Sequence, residues 1–410
     1  MGTVEQLAAS FQLTPGRLPA VFLTLRRNTR TWRLDPFPAP GERRRFGSDP
    51  AVFQYVPGHG MGLHVLGTWG VVNARLGACL RAKRGGRLWQ DCPVRELERG
   101  LDRLGALGAR RGGFLAWEYY YPYAQGSPPW ISGMAQATAV QALSRAARAF
   151  GAPRYRRLAE RALGAFETPT PAGVAVDDAA GRRYVMYSFA PGLRILNGEL
   201  QAVAGLRTAA ALGRSERAAR LVGRGDRAAL AALAGFDTGA WSLYSATGTE
   251  ATLAYHELTT RILDRLCHTS GVAAYCRSGR RFGRYTREPP RVGLAPLRGL
   301  SARHPAPLHF TLSKGSAVTV RVWGPKGLLL ARDLRLGPGG HALDWTPQAR
   351  GRFRVRVAAR GPEGRLGVTA RVVRVTLPKP KRKHRAQIAR RSGARLDAGA
   401  PVDEASVVSP

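Results

Sequence analysis

The sequence predicts a multidomain, mainly α chain: a run of helical hairpins followed by a small β-sandwich. Three observations carry this. Apolar residues recur at spacings of three and four through residues 51–285, with glycine where helices should stop. After Tyr285 the composition changes to a stretch broken by proline and glycine, REPPRVGLAPLRGLSARHPAPL. Beyond it, valine-rich runs alternate apolar and polar residues between Lys-Gly, Gly-Pro-Gly-Gly and Gly-Pro-Glu-Gly turns.

Helices are predicted over Val94–Leu107, Gly133–Phe150, Arg154–Phe166, Gly198–Leu212, Ser215–Gly223, Arg227–Leu233 and Ala254–Cys267. In the second, Val140, Leu143, Ala147 and Phe150 form one buried stripe, and Gly151 is placed to end the helix. Leu158, Ala162 and Phe166 repeat the device in the third. Such hairpins can close into an α/α toroid whose rim loops line a central cleft. The division expected is 1–50 as a segment packing on the helical domain, 51–285 as the toroid, 286–306 as a linker, 307–376 as the sandwich and 377–410 as a basic, disordered tail.

Between two helices lies FLAWEYYYPYAQGSPPW, Phe114–Trp130, where prolines forbid a continuous helix. Its rings are expected to form a cleft wall that stacks on sugar faces, with Glu118 accepting hydroxyl hydrogen bonds, a core strand or turn being the alternative. His59 and His64 stand in a glycine-rich loop without a carboxylate partner and read as structural or solvent-facing. In the sandwich, Phe353, Val355 and Val357 alternate with arginines.

The 64 Lys+Arg against 27 Asp+Glu give a net charge of +37 and a pI near 11.5. A field of that sign favours acidic partners, although arginine spread over a solvated surface gives the same total. No zinc-finger spacing, RNP-type strand or basic-zipper heptad points to specific nucleic-acid binding. No metal-ligand spacing and no stretch of the ~20 apolar residues that a membrane helix requires is present. Cys79 with Cys92 and Cys267 with Cys276 form two local pairs, disulfides in an exported protein and thiols in a reducing cytosol. The N-terminus shows no signal-peptide pattern, and LTPGRLPAVFLTLRRN reads like the middle of a domain, so an upstream start is expected. The basic half of the tail suits an anionic wall, glycan or membrane surface.

Four blocks then fall in order: PPWISGMAQA at Pro128–Ala137, ILNG at Ile195–Gly198, FDTGAWSLY at Phe236–Tyr244 and AYH at Ala254–His256. Together they resemble the C-terminal domain of the D-glucuronyl C5-epimerases, which invert glucuronate in heparin-type polysaccharides. The resemblance implies an α/α toroid, a uronate-containing polysaccharide as partner, no cofactor and no metal. It also implies catalysis by tyrosine. Tyr244 and Tyr255 are the acid/base candidates for the two faces of C5, which takes which being open, and Tyr187 positions or relays. Removing a proton alpha to a carboxylate adds charge to an anion, so cations are expected to lower these phenols from their ordinary value near ~10. Arg194 is the candidate for the substrate carboxylate, with His256 bonding the same group. Asn197, Trp130, Gln136 and Glu118 complete the expected binding residues.

The chain departs from the better-known animal members in three places. Met186 stands where they have a glutamate, Thr259 replaces the second histidine of the final helix, and the step from Tyr244 to Tyr255 is short. These departures keep two alternatives open: a uronate lyase, and an inactive glycan-binding surface protein. The sandwich resembles the immunoglobulin-like units of bacterial extracellular proteins and is expected to be a spacer or glycan contact. An extracytoplasmic or cell-surface location follows as an expectation.

Overall fold

The computed structural model describes residues 2–378 and is mixed helix and sheet. The 377–410 tail lies outside the described residues apart from its first two positions. Helices α1 (Gly2–Ala9) and α2 (Leu18–Leu34) lead into a meander of β1 (Arg43–Arg45), β2 (Val52–Val56) and β3 (Gly60–Leu63). The helical body follows as α3 (Val65–Arg84), α4 (Leu88–Asp91), α5 (Val94–Ala106), α6 (Gly133–Phe150), α7 (Pro153–Ala162), α8 (Leu196–Gly213), α9 (Glu216–Ala232), α10 (Leu253–Ser270) and α11 (Ala273–Tyr285). Two short hairpins interrupt it: β4 (Ala109–Arg111) with β5 (Phe114–Ala116), and β6 (Ala175–Asp178) with β7 (Gly181–Tyr184).

Side-chain caps fix the helix starts. Ser132, Ser215 and Thr252 accept from backbone N–H groups one turn inside α6, α9 and α10. Gly151 and Gly271 end α6 and α10 in the left-handed region, with φ 69° and 67°. Helices α3, α6, α8 and α10 pack in series, and α7, α9 and α11 each fold back on the preceding member. The series runs in one direction. Asn73 and Lys83 of α3 meet Gln141 and Ala149 of α6, while Gly205 and Gly213 of α8 lie against Ala137 and Ser144 of α6. At Gly205 the approach is so close that a Cβ would sit 2.4 Å from the Ala137 carbonyl oxygen. Helices α6 and α8 are therefore buried on nearly all faces, whereas α9 and α11 keep one polar face.

The expectation of two helices over Ser215–Gly223 and Arg227–Leu233 is corrected: α9 is continuous. Its Gly225 admits the Tyr184 ring, which a Cβ would meet at 2.7 Å, so the glycine serves packing rather than a break. Both cysteine pairs are disulfides; Cys79–Cys92 ties α3 to the segment before α5, and Cys267–Cys276 ties α10 to α11.

Seven strands follow: β8 (Val292–Leu294), β9 (Leu308–Leu312), β10 (Ser316–Gly324), β11 (Gly327–Leu336), β12 (Gly339–Leu343), β13 (Gly351–Arg360) and β14 (Leu366–Val375). They make two antiparallel sheets, ordered β11-β10-β13-β14 and β12-β9-β8, around one core that contains Phe310, Val320, Trp345 and Phe353. Strand β8 lies inside the stretch expected to be linker. Lys314, in the turn between β9 and β10, joins sheet to helices. Its buried ammonium donates to the carbonyls of Tyr285 and Glu288 at 2.8 Å, pairs with Glu363 at 3.1 Å and lies 4.8 Å from the Trp241 ring. Beside it, the Gly315 N–H donates to Glu250 at 2.7 Å.

Candidate active site

The candidate site sits where α8 and α10 begin. Ile195, just before α8, bridges to Ser245, and the Leu196 N–H faces the Tyr244 carbonyl. This pairing carries Tyr244 to the mouth of α8. The Thr252 cap sets the first turn of α10, which presents Tyr255. The rings of Tyr244 and Tyr255 lie 4.7 Å apart, and Tyr187 comes from the loop after β7. Sequence reasoning missed a fourth phenol, Tyr123, whose ring is 5.2 Å from that of Tyr187. Its only sequence signal was its place at the end of an aromatic run. Tyr123 and Tyr255 are 48% and 43% exposed, and the other two are half-buried, so the cluster opens to solvent.

The electrostatics differ from expectation. Burial pushes the Tyr187 phenol far up, and the hydroxyls of Tyr123 and Tyr244 add to the shift. Burial, and then Tyr255, also raise Tyr244, while the neighbouring Tyr187 pulls the other way. The expected lowering by cations is thus corrected for these two residues. The cations nearby already have carboxylate neighbours. Arg194 pairs with buried Glu199 at 3.2 Å through one edge of its guanidinium. Arg183 pairs with Asp178 at 3.1 Å and stands 3.6 Å from Glu199. Asn197 is 3% exposed, and its side-chain oxygen has no hydrogen-bond partner. Met186 fills the adjoining space against Ser132 and Gly198.

Four expected binding residues are corrected to structural roles. His256 is fully buried and stacked on Trp241 with centroids 3.8 Å apart. Its Nε2–H donates to the Phe282 carbonyl at 3.0 Å and its Nδ1 accepts from Ser242 at 2.7 Å, which leaves nothing for a ligand. Burial pushes its pKa down. Gln136 closes on the backbone of Trp117, accepting from its N–H and donating to its carbonyl. Trp130 is stacked on Tyr119 at 4.0 Å and donates to the Tyr121 carbonyl, so it backs the phenol cluster from beneath. Glu118 takes both forks of Arg17 at 2.7 and 2.9 Å, Arg111 at 2.8 Å and the Tyr120 hydroxyl at 2.9 Å. Burial alone would raise its pKa, but the two guanidiniums outweigh it and hold the carboxyl below its usual range. The aromatic run Phe114–Trp130 is therefore mostly core, with Tyr123 at its open edge. His64 caps α3, accepting from the Gly67 N–H at 2.8 Å, and His59 is solvent-exposed.

Residues 111–282 match the family model described as D-glucuronyl C5-epimerase C-terminus. That segment belongs to this family. The epimerase-family segment contains all four phenols together with Asn197, Arg194 and Glu199. No curated protein matches the chain. Among solved structures, the chain is similar to a CARDB domain from Pyrococcus furiosus at 20% identity, over 22% of this chain and 96% of that one, with a TM-score of 0.18. It is similar to a sugar epimerase from a ruminal bacterium at 10% identity, over 55% of this chain and 60% of that one, with a TM-score of 0.39. It is similar to a GH76 α-mannanase from Bacteroides thetaiotaomicron at 8% identity, over 53% of this chain and 59% of that one, with a TM-score of 0.33. The chain thus spans 60% and 59% of the lengths of the last two. Among the described residues, no helix is long and apolar enough to cross a membrane, and no group of three or more metal-ligating side chains is found.

Proposed function

We propose that the chain is a uronate C5-epimerase that inverts glucuronate residues within a polysaccharide. One observation carries the reading: Tyr187, Tyr244 and Tyr255, distant in sequence, converge in a half-open cluster inside the epimerase-family segment. In the proposed reaction one phenolate removes the C5 proton and the C5–H electron pair passes into the carboxylate as an enolate. A phenol on the opposite face then returns a proton to C5. The carbon keeps its oxidation level throughout. Tyr244 is taken as the base and Tyr255 as the opposing acid in the direction from glucuronate, and their rings, 4.7 Å apart here, separate to admit the sugar between them.

On this reading the hairpins form an α/α toroid around the polymer, and the immunoglobulin-like sandwich docked through Lys314 stiffens the loop between Tyr244 and Tyr255 from behind. The two disulfides support an extracytoplasmic location. The test is incubation with glucuronate polymers in deuterated water, followed by NMR at C5. Deuterium at C5, lost in Tyr244→Phe and Tyr255→Phe, is the expected result. Binding without exchange would mean a glycan-binding protein, and an ultraviolet-absorbing unsaturated product would mean a lyase.

A further inference from the structure

The four serial helices end together as well as begin together. At their C-terminal ends they line a half-open pocket of about 750 Å³, well within the size range of small-molecule sites. From Leu196 at the mouth of α8 to Thr208 in this cavity is about 18 Å along the helix, so the two places are separate. Six arginines line it: Arg81 and Arg84 from α3, Arg145 and Arg148 from α6, Arg207 from α8 and Arg265 from α10. No carboxylate is among its lining residues.

Cations at helix C-termini are expected, because each terminus carries roughly half a negative charge, about two charges for four helices. That accounts for only part of the set. Arg207 is neutralised by Asp226, and the nearby Lys83 is spent on the carbonyls of Arg148 and Ala149. The other five guanidiniums have no acidic partner in the salt bridges of the described residues. Arg145 is held by Asn73, which accepts from it at 2.9 and 3.0 Å. Burial, followed by repulsion from Arg265 and Arg81, pulls its pKa down to about 10. Arg265 reaches only the Gln201 side chain, at 3.4 Å. Holding like charges around a shared cavity costs stability unless something of opposite sign joins them. Guanidiniums are suited to oxyanions, which they grip with two parallel N–H bonds.

We propose that this cavity is an oxyanion-binding site, distinct from the phenol cluster, that takes carboxylate, sulfate or phosphate groups between Arg145, Arg265 and the α3 arginines. It stands whether or not the chain inverts C5. The test is calorimetric titration of the full chain at constant ionic strength with inorganic sulfate, inorganic phosphate and a glucuronate oligosaccharide. One saturable site is expected for sulfate, phosphate or both. Affinity should fall at least tenfold in Arg145→Gln/Arg265→Gln and in Arg81→Gln/Arg84→Gln; the second pair has exposed side chains and leaves the Arg145–Asn73 contact intact. The control Arg156→Gln/Arg157→Gln removes the same charge from exposed positions on α7 and should bind like the parent. Tyr244→Phe should bind sulfate and phosphate like the parent, which keeps this result independent of the epimerase reading. An oligosaccharide that displaces sulfate makes the source a polymer acid group, and failure to displace it makes the source a free ion; either supports the site. Absence of saturable binding, or an equal loss in the α7 control, would overturn it.

Discussion

The phenol cluster and the polar set packed around it use similar residue types on opposite terms. Glu118, Gln136 and His256 are buried, and their hydrogen-bonding groups are met by protein. Tyr187 packs on Tyr123, Trp130 and Phe189, Tyr244 packs on Tyr255, and all four phenols stay partly exposed. A satisfied buried group fixes shape, because removing its partner leaves an expensive orphan. An unsatisfied, accessible group has chemistry left over. The two sets should therefore respond in opposite ways to substitution: the first should lose stability and the second turnover.

The largest effect is expected at Glu118. In Glu118→Ala the guanidiniums of Arg17 and Arg111 stay largely buried without their carboxylate, a loss of about 3–5 kcal/mol. Urea unfolding should show it, and C5 exchange per folded molecule should be unchanged. A loss below about 1 kcal/mol would break the contrast between the two sets. Because the folded pKa is depressed, the carboxylate's contribution is present above the unfolded value near ~4.5. It is lost as pH falls from there through the folded value.

Next is a pH effect at His64. Burial, and after it Arg43, push this cap down to about 4. The unfolded chain takes up this proton near ~6.5 and the folded chain only near 4, so stability falls as pH drops across that window, by about 3 kcal/mol. His64→Asn keeps a capping acceptor without the titration and should flatten that part of the curve of unfolding free energy against pH. An unchanged slope would mean that the ring is hydrated. Smaller still is Gln136→Leu, which strips the Trp117 N–H and carbonyl of their partners and should cost about 2 kcal/mol in the same urea assay.

How much of this was legible follows from the range of the interactions. The stripe Val140, Leu143, Ala147 and Phe150 shows α6 because helix period is a local property, and Gly151 shows where it stops. Helix α11 carries Tyr275, Phe282 and Tyr285 on a similar spacing, but six intervening arginines and glycines concealed it. Helix α9 was expected in two pieces because a sequence does not display the Tyr184 ring that packs against Gly225. Glu118 looked like a hydroxyl acceptor because its main partner, Arg17, is 101 residues away. His256 looked like a ligand for the same reason: the Phe282 carbonyl that holds it lies one helix further on. Motif blocks located Tyr244, Tyr255 and Asn197 but not Tyr123, and they could not distinguish residues that face the opening from those that pack behind it.

The smallest effect on stability sharpens the contrast most. Tyr187→Phe removes one hydroxyl from a half-buried ring whose stacking on Phe189 and Tyr123 survives, so unfolding should change by less than about 1 kcal/mol. The hydroxyl it removes is the one that offsets part of the upward shift of Tyr244. Without it the Tyr244 anion loses its support, while the neighbouring hydroxyl of Tyr123 is still present. If the phenols act as proposed, the C5 exchange rate falls at least tenfold and the basic limb of its pH profile moves upward, because Tyr244 becomes harder to ionise. A purely positional role for Tyr187 would lower the rate without moving that limb. Tyr123→Phe separates the two further: Tyr123 touches Tyr187 and not Tyr244 by ring contact, so the limb should shift less than in Tyr187→Phe. Equal shifts in the two variants would mean that the four phenols share one charge rather than assigning it to Tyr244.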